Sequence, residues 1–226
     1  MTKNNLFEFD KNFNEGFVIG TDEAGRGPGA GGVFASAVYF PNPDDELIKQ
    51  LSDLNDSKKL SKKKREELYE IILQNSINLT VCVEVEEIEK INILNASLKA
   101  MKLAVENVMK QICSGQFTAH SSQFTVLVDG NKKIRDFNYP QKTIVKGDSK
   151  SASIAAASIL AKVSRDRYMA ELHEKFPQYN WVQNAGYLTK EHLSAIDKYG
   201  ITPLHRKKFL RKHKEKCIKQ LSMFQK

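Results

Sequence analysis

The chain of 226 residues has few of the features that would place it outside the cell or in a membrane. Its three cysteines, Cys82, Cys113 and Cys217, are odd in number and widely spaced, with no Cys-x-x-Cys pair, so neither a disulfide framework nor a zinc site is indicated. No window approaches the roughly 18 apolar residues of a membrane helix, and no long apolar stretch follows a basic start at the N-terminus. We therefore expect a reduced, cytoplasmic protein that is neither exported nor membrane-spanning.

Positive charge is in excess. Lysine and arginine total 35 against 27 acidic residues, which gives a formal net charge of +8 and a pI near 9.2. A basic surface favours a polyanionic partner, although a merely basic protein without such a partner would have the same composition. The length suits one domain with a sizeable core, since there is neither an internal repeat nor a low-complexity linker. We expect residues 1–176 to form that core and residues 177–226 to form a basic helical region packed on it.

Apolar periodicity predicts strands that alternate with helices along the chain. The strands are expected at residues 17–21, 32–40, 79–85, 124–129 and 143–145, and the helices at residues 61–75, 88–112 and 151–176. Ser61 is a candidate N-cap, and the second helix is expected to break near Asn95. This order of elements predicts an α/β fold, with helices layered around a central mixed sheet.

Two adjacent carboxylates, Asp22 and Glu23, follow the first apolar run. Two ionised carboxylates about 4 Å apart repel each other by roughly 4 kcal/mol at an effective dielectric constant near 20. A bound divalent cation would turn that repulsion into attraction. Because neighbouring side chains in a strand point to opposite faces, we expect the strand to end at this pair if both serve one site. A solvated acidic turn is the alternative.

Arg26 follows directly and lies between two glycines, Gly25 and Gly27. The missing side chains on either side allow the backbone amides of this turn to approach a ligand closely. Such a turn suits a substrate that carries phosphate or hydroxyl groups. We therefore interpret the Gly-Arg-Gly turn as a candidate substrate-binding element.

Two aspartates further along the chain are candidates for the same site. Asp129 ends a short apolar strand and precedes Gly130, and ligand sites in open α/β sheets gather at such strand ends. An ordinary Asp-Gly turn is the alternative. Asp166 lies inside the predicted long helix, where aspartate is a mediocre helix former. A surface ion pair with Lys162, one helical turn away, would also explain it.

Together the four carboxylates would form a cluster that contains only oxygen ligands. Such ligands, without histidine or thiolate, favour Mg²⁺ or Mn²⁺ over zinc. Two such ions, roughly 3.5–4 Å apart, hold the attacking and leaving oxygens in a displacement at phosphorus. Metal-dependent phosphodiester hydrolysis is therefore the chemistry that this cluster predicts, and it agrees with a basic surface.

Ordered sequence blocks carry a resemblance to one family. They lie at residues 22–28, 56–60, 92–96, 127–130, 146–148, 153–166, 186–187, 189–192 and 199–206. In this order they resemble the signatures of bacterial ribonuclease HII, a type 2 ribonuclease H, over residues 17–209. The resemblance implies a ribonuclease-H-like mixed central sheet flanked by helices, with a C-terminal helical extension. It also implies an endonuclease that hydrolyses RNA in RNA–DNA hybrids and incises 5′ of single ribonucleotides embedded in duplex DNA, leaving a 3′-hydroxyl and a 5′-phosphate.

The resemblance also assigns roles to residues. Asp22, Glu23, Asp129 and Asp166 match the catalytic carboxylates that bind Mn²⁺ or Mg²⁺. The residues expected to bind substrate are Gly25, Arg26 and Gly27, which would read the 2′-hydroxyl, Tyr187, which would stack on the next sugar, and Lys58 and Lys146, which would contact phosphates.

The chain departs from the family pattern at two places. Residues 29–32 read Gly-Ala-Gly-Gly where the family usually has Leu-Ala-Gly-Pro, and Leu188 stands where Gly is more usual. Neither change removes a candidate ligand. We expect both to alter substrate affinity.

The C-terminal tail resembles a pentapeptide that docks bacterial proteins on the sliding clamp. Its residues are Gln220, Leu221, Ser222, Met223 and Phe224. A frayed final helical turn is the alternative. The expected partners are therefore RNA–DNA hybrids, ribonucleotide-containing duplex DNA and this clamp, with the protein acting as a monomer.

Two other functions fit parts of the sequence. A catalytically silent hybrid-binding protein would share the fold, but all four carboxylates are present. A metal-dependent phosphohydrolase acting on small nucleotides would not need the basic region that follows Pro203.

Overall fold

The computed structural model describes residues 5–13, 16–114 and 123–211, together with residues 213 and 215. Its sheet has five strands in the order β3-β2-β1-β4-β5. The strands are β1 (Phe17–Ala24), β2 (Val33–Tyr39), β3 (Ile77–Val83), β4 (Phe124–Asp129) and β5 (Gln141–Ile144). Strand β2 is antiparallel to β1 and β3, whereas β4 is parallel to β1 and β5. The predicted mixed α/β sheet is confirmed.

Helices cover both faces of this sheet. They are α1 (Asn5–Lys11), α2 (Asp45–Gln50), α3 (Lys62–Asn75), α4 (Val85–Ile91), α5 (Ile93–Ser114), α6 (Ala152–Lys175), α7 (Trp181–Asn184) and α8 (Lys190–Tyr199). The apolar stripe of α5 forms one core with inward-facing strand residues such as Ile19 and Val126. On the other face α6 forms a second core with α3 and with Val38 of β2.

Helix α6 approaches the sheet unusually closely. Its first half is rich in alanine, and Ser151 caps it by accepting a hydrogen bond from the Ile154 amide. A Cβ atom placed on Gly20 would lie 2.2 Å from the carbonyl carbon of Ser153, so only glycine fits at this crossing. The contact joins β1 and α6, the two elements that carry three of the four predicted catalytic carboxylates.

Several predicted boundaries differ from the structure. The expected end of β1 at Asp22 is wrong, because pairing with β2 continues to Ala24 opposite Phe34. Pairing with β4 stops earlier, at Thr21 opposite Val128. The break expected near Asn95 in the helix at residues 88–112 is present, but it falls at Asn92, whose φ is 68° and which separates α4 from α5. Helices α1 and α2 were not predicted.

The C-terminal region packs on the core through a third apolar cluster. Trp181 and Leu210 are fully buried there against Ala30, near the end of the glycine-rich turn, and against Met169 of α6. The division at residue 176 stays a prediction. In the described ranges, no helix is long and apolar enough to cross a membrane.

Candidate active site

A cavity of about 450 Å³ opens at the carboxyl ends of β1 and β4. Its lining comes from the end of β1 and the turn after it, from the end of β4, from the middle of α6, from α3, and from the loops that carry Ser57, Asp148 and Tyr187. The lining residues are Asp22, Glu23, Ala24, Gly25, Arg26, Gly27, Ser57, Lys58, Arg65, Asp129, Asp148, Ser158, Lys162, Arg165 and Tyr187. Eight of the ten predicted site residues are in this set, and Asp166 and Lys146 are not.

Asp22 is the most buried of the predicted carboxylates, with 6% of its surface exposed. Burial raises the pKa of Asp22 well above its usual value, and the charges of Glu23 and Asp129 raise it further. A hydrogen bond from Ser158 and one of 2.7 Å from the Glu23 amide oppose this rise. Asp22 is therefore within electrostatic reach of both Glu23 and Asp129, and it is itself shielded from solvent.

Glu23 is held by the arginine of the Gly-Arg-Gly turn. The Arg26 guanidinium donates to a Glu23 carboxylate oxygen at 3.2 Å. Burial raises the pKa of Glu23, and the positive charges of Arg26 and Lys58 partly offset that rise. Both Asp22 and Glu23 line the cavity although β1 continues past them, because β4 no longer pairs with β1 beyond Thr21.

Asp129 lies at the last position of β4 and is fixed by a neighbouring loop. Its Oδ1 accepts a hydrogen bond of 2.7 Å from the Gly147 amide. Lys146, just before Gly147, has a left-handed backbone with φ 56° and an exposed side chain. Its backbone thus helps to place Asp129, but its side chain is not part of the cavity wall.

Asp166 is close to the cavity but is paired with basic side chains. Its Oδ1 accepts from Lys162 Nζ at 2.5 Å, and Arg65 Nη2 lies 4.0 Å from its Oδ2. Lys162 and Arg65 both line the cavity. The surface pair considered as an alternative for Asp166 therefore exists, and it occupies the carboxylate in this structure.

The residues fit a divalent cation in chemistry, although the carboxylates are not gathered around one point. In the part of the chain that the structure describes, no three Asp, Glu, His or Cys side chains converge closely enough to hold a metal ion. Each predicted carboxylate instead has protein partners. Asp22, Glu23 and Asp129 nevertheless line one cavity and offer carboxylate oxygens, the ligands that Mg²⁺ and Mn²⁺ prefer.

The Gly-Arg-Gly turn is anchored from beneath by a buried arginine that sequence reasoning missed. Arg206 is fully buried and donates to the carbonyl oxygens of Arg26, Pro28, Gly31 and Gly32 at 2.7–3.3 Å. Burial lowers the pKa of Arg206 to about 10, so the guanidinium stays charged at neutral pH. Nothing local in the sequence indicates this contact.

Arg165 of α6 is the second buried arginine at this turn. It donates to the carbonyl oxygens of Gly32, Ala30 and Ala185 at 3.3, 3.2 and 3.0 Å. A Cβ on Gly25, whose φ is 100°, would lie 2.2 Å from Arg165 Nε. The first glycine of the turn is therefore required both by its backbone conformation and by space.

Tyr187 lies against the second glycine of the turn. A Cβ on Gly27 would be 3.2 Å from Tyr187 Cε1, and half of the tyrosine, 51%, is exposed. The Tyr187 carbonyl accepts a hydrogen bond of 2.9 Å from His192 Nδ1. The predicted stacking residue is thus placed beside the turn with its ring available to a ligand.

A buried pair of histidines supports this tyrosine. Trp181 Nε1, which can only donate, donates to His192 Nε2 at 3.0 Å, so this nitrogen carries no proton, while His192 Nδ1 donates to the Tyr187 carbonyl. His205 Nε2 lies 3.2 Å from His192 Nε2, while His205 Nδ1 accepts from the Thr202 amide at 2.9 Å. This pattern requires both rings to be neutral. Burial accordingly lowers the pKa of His192, and it lowers that of His205 to about 4.

Asp148 is a further cavity carboxylate to which sequence reasoning gave no role. Burial raises its pKa, and the charges of Asp129 and Asp56 add to the rise. It belongs to the block at residues 146–148, which was noticed only as part of the resemblance. Of the predicted phosphate contacts, Lys58 lines the cavity and Lys146 does not.

Comparison with known proteins identifies the family. The family model described as ribonuclease HII matches residues 19–215. The chain belongs to the ribonuclease HII family. A ribonuclease HII of Fusobacterium nucleatum is 48% identical over 92% of this chain and 92% of its own length. The ribonuclease HII of Rickettsia akari is 48% identical over 90% of this chain and 96% of its own length. The chain is therefore an enzyme of the ribonuclease class.

Solved structures share the fold of this ribonuclease HII chain. Ribonuclease H2 of Pyrococcus horikoshii has a TM-score of 0.65 at 24% identity, covering 88% of this chain and 98% of its own. Ribonuclease HII of Archaeoglobus fulgidus, solved in complex with PCNA, has a TM-score of 0.65 at 24% identity, covering 84% and 93%. Bst-RNase HIII in complex with Mn²⁺ has a TM-score of 0.67 at 16% identity, covering 88% and 68%. The predicted ribonuclease-H-like architecture is confirmed.

Proposed function

We propose that this ribonuclease HII hydrolyses the RNA strand of RNA–DNA hybrids and incises duplex DNA on the 5′ side of a single embedded ribonucleotide, leaving a 3′-hydroxyl and a 5′-phosphate. One observation carries the proposal. Asp22, Glu23 and Asp129 line the same cavity as the Gly-Arg-Gly turn and Tyr187. Groups suited to hydrolysis therefore lie beside groups suited to recognising a sugar.

The carboxylates would hold the divalent cation. Asp22, Glu23 and Asp129 would supply oxygen ligands, and Asp166 would join them after releasing Lys162. Two bound ions would activate a water molecule and stabilise the departing oxyanion. The Mn²⁺ in the related Bst-RNase HIII structure supports a divalent ion of this kind. Lys162 would then be free to face a phosphate of the substrate, and so would Nη2 of Arg65, whose Nη1 remains bonded to the Ser57 and Leu60 carbonyl oxygens.

The turn and the tyrosine would select the scissile position. The backbone amides of Gly25 and Gly27 and the Arg26 side chain would read the 2′-hydroxyl, which distinguishes RNA from DNA. The half-exposed ring of Tyr187 would stack on the adjacent deoxyribose. Lys58 and Lys146 would contact phosphates, which positions a duplex without specifying its sequence.

The test is cleavage of duplex DNA that carries one ribonucleotide, in Mg²⁺ or Mn²⁺. We expect a single incision 5′ of the ribonucleotide, and loss of at least about a hundredfold in rate for Asp129→Asn, because a ligand is removed from the reacting centre. Asp53→Asn is the matched control, since Asp53 is exposed and pairs with Lys64 away from the cavity. Native-level cutting by Asp129→Asn would refute the assignment.

We also propose that residues 220–224 dock the enzyme on a sliding clamp and that the enzyme acts as a monomer. These residues lie outside the described part of the chain, and the Archaeoglobus complex with PCNA supports the idea. Clamp binding by the full chain would be compared with that of a chain ending at Lys219, and with a control chain ending at Phe224. Equal affinity of all three chains would reject the docking role. Light scattering of the free enzyme would test the monomer, and the mass of a dimer would reject it.

A further inference from the structure

We infer that Gly29 and Leu188 form an interlocking pair that positions Tyr187 against the Gly-Arg-Gly turn, so that Leu188 is a positioning residue for substrate binding. The inference deepens the proposed function and rests on it. It concerns the contact between Gly29, which follows the Gly-Arg-Gly turn, and Leu188, which follows Tyr187.

Leu188 fills the space that a side chain at position 29 would occupy. A Cβ on Gly29 would lie 2.5 Å from Leu188 Cδ2, 2.6 Å from Cγ and 2.9 Å from Cδ1. These separations are far below van der Waals contact. A side chain at position 29 therefore requires the whole branched end of Leu188 to move.

The requirement for glycine at position 29 is one of space alone. Gly31 and Gly186 both have φ near 80°, a conformation that disfavours any other residue. Gly29 is not among the residues with positive φ. Its backbone would accept a leucine once the neighbouring side chain made room.

Leu188 cannot move independently of the site. It is partly buried and packs against the apolar cluster around Trp181 and Leu210. The segment that carries it is also bound to the turn through its backbone, because the Gly29 amide donates to the Gly186 carbonyl at 2.9 Å. A displaced Leu188 would therefore shift Tyr187, its immediate neighbour.

Tyr187 depends on this support because half of the residue is exposed. Its ring lies beside Gly27, where a Cβ would be 3.2 Å from Tyr187 Cε1. Its position is set by the residues on either side, of which Gly186 bonds to the turn and Leu188 interlocks with it. The pair thus fixes the distance between the stacking ring and the turn that reads the sugar.

The two positions are complementary in volume. A leucine at position 29 with a glycine at position 188 would fill the same space from the opposite side of the contact. The two substitutions together should therefore compensate for each other, which neither would do alone.

The test is a double-mutant cycle with Gly29→Leu, Leu188→Gly and the combined variant, measured on the duplex that carries one ribonucleotide. We expect each single variant to raise KM about tenfold with kcat within about twofold, because stacking is displaced while the carboxylates stay in place. The combined variant should return to within about threefold of the native KM. A combined variant that shows the sum of the two defects would overturn the pairing.

Two further proteins separate positioning from folding. Gly29→Leu combined with Leu193→Ala removes another partly buried leucine of the same cluster, and we expect no rescue. In a Tyr187→Ala background, Gly29→Leu should no longer raise KM, since there is no ring left to displace. A tenfold rise that persists without the ring would overturn the positioning role.

Thermal unfolding of the same variants is independent of catalysis. We expect Gly29→Leu to lower the unfolding temperature and the combined variant to restore it. If the native chain does not cut the duplex but this pattern holds, the proposed function fails and the pairing stands. If the native chain cuts and neither KM nor the unfolding temperature shows rescue, the pairing fails and the proposed function stands.

Discussion

Replacing Arg206 by lysine should weaken both the fold and substrate recognition. The side chain is fully buried and makes five hydrogen bonds to four carbonyl oxygens of residues 26–32. Lysine keeps the charge but offers three donors from a single atom, so it cannot reproduce this planar fork. At least two hydrogen bonds are lost, and some carbonyl oxygens lose their buried partner.

The expected magnitude follows from the number of groups left unpaired. A buried polar group without a partner costs about 1–3 kcal/mol, so two of them give a loss of roughly 2–6 kcal/mol in the free energy of unfolding. For a chain of this size each kcal/mol lowers the unfolding temperature by about 2–4 °C. We therefore expect Arg206→Lys to unfold about 4–24 °C below the native chain.

Two measurements check this reasoning. Thermal unfolding gives the stability change, and cleavage of the ribonucleotide-containing duplex gives KM, which should rise because the turn that bears Arg26 loses its support. Arg211→Lys is the control, since Arg211 is exposed and pairs only with the nearby Glu215 among the described residues. An Arg206→Lys variant within about 1 kcal/mol of native stability, with unchanged KM, would show that the carbonyl clamp contributes little.

Two other predictions concern charge. Lys162→Met should lower the Mn²⁺ concentration needed for half-maximal thermal stabilisation several-fold, because Asp166 loses its ion pair and becomes available to a cation. Lys175→Met removes the same charge from the same helix and should leave this Mn²⁺ concentration unchanged. If both variants lower it equally, the effect is one of general charge and the prediction is contradicted. The neutral His205 should make stability fall as pH drops from 6.5 towards 4, because its lowered pKa means that the unfolded chain takes up the proton first. The free energy of unfolding measured in urea should fall between pH 7 and pH 5 by up to about 2 kcal/mol because of this group. A His205→Gln variant whose stability depends on pH as steeply as that of the native chain would contradict this role.

Local patterns were enough to predict the sheet and most of the candidate site. Asp22, Glu23 and Asp129 lie at the carboxyl ends of predicted apolar strands, where ligand sites of open α/β sheets gather, and the parallel pairing of β1 with β4 brings them to one edge. The end of β1 was predicted wrongly because it depends on how far each neighbouring strand pairs with it. Strand β2 pairs with β1 as far as Ala24, whereas β4 stops at Thr21. Strand ends therefore follow from partners that a single segment does not reveal.

Contacts across the chain account for the other omissions. Arg206 reaches carbonyl oxygens that lie about 175 residues earlier, and in the sequence it is one of many basic residues in a charged C-terminal region. Gly29 and Leu188 each resembled an isolated departure from a pattern. Only their contact shows that they belong together. The pairing of Asp166 with Lys162, in contrast, was among the alternatives and is present.

Two adjacent residues near the middle of α6 connect substrate recognition to hydrolysis. Arg165 holds the backbone of the turn through Ala30 and Gly32, and its neighbour Asp166 is a proposed cation ligand. A rigid displacement of this helix would move both at once. Substitutions that shift α6 should therefore reduce both the turnover rate and the discrimination between RNA and DNA. We do not expect a displacement of this helix to give a variant that cuts faster and selects less strictly.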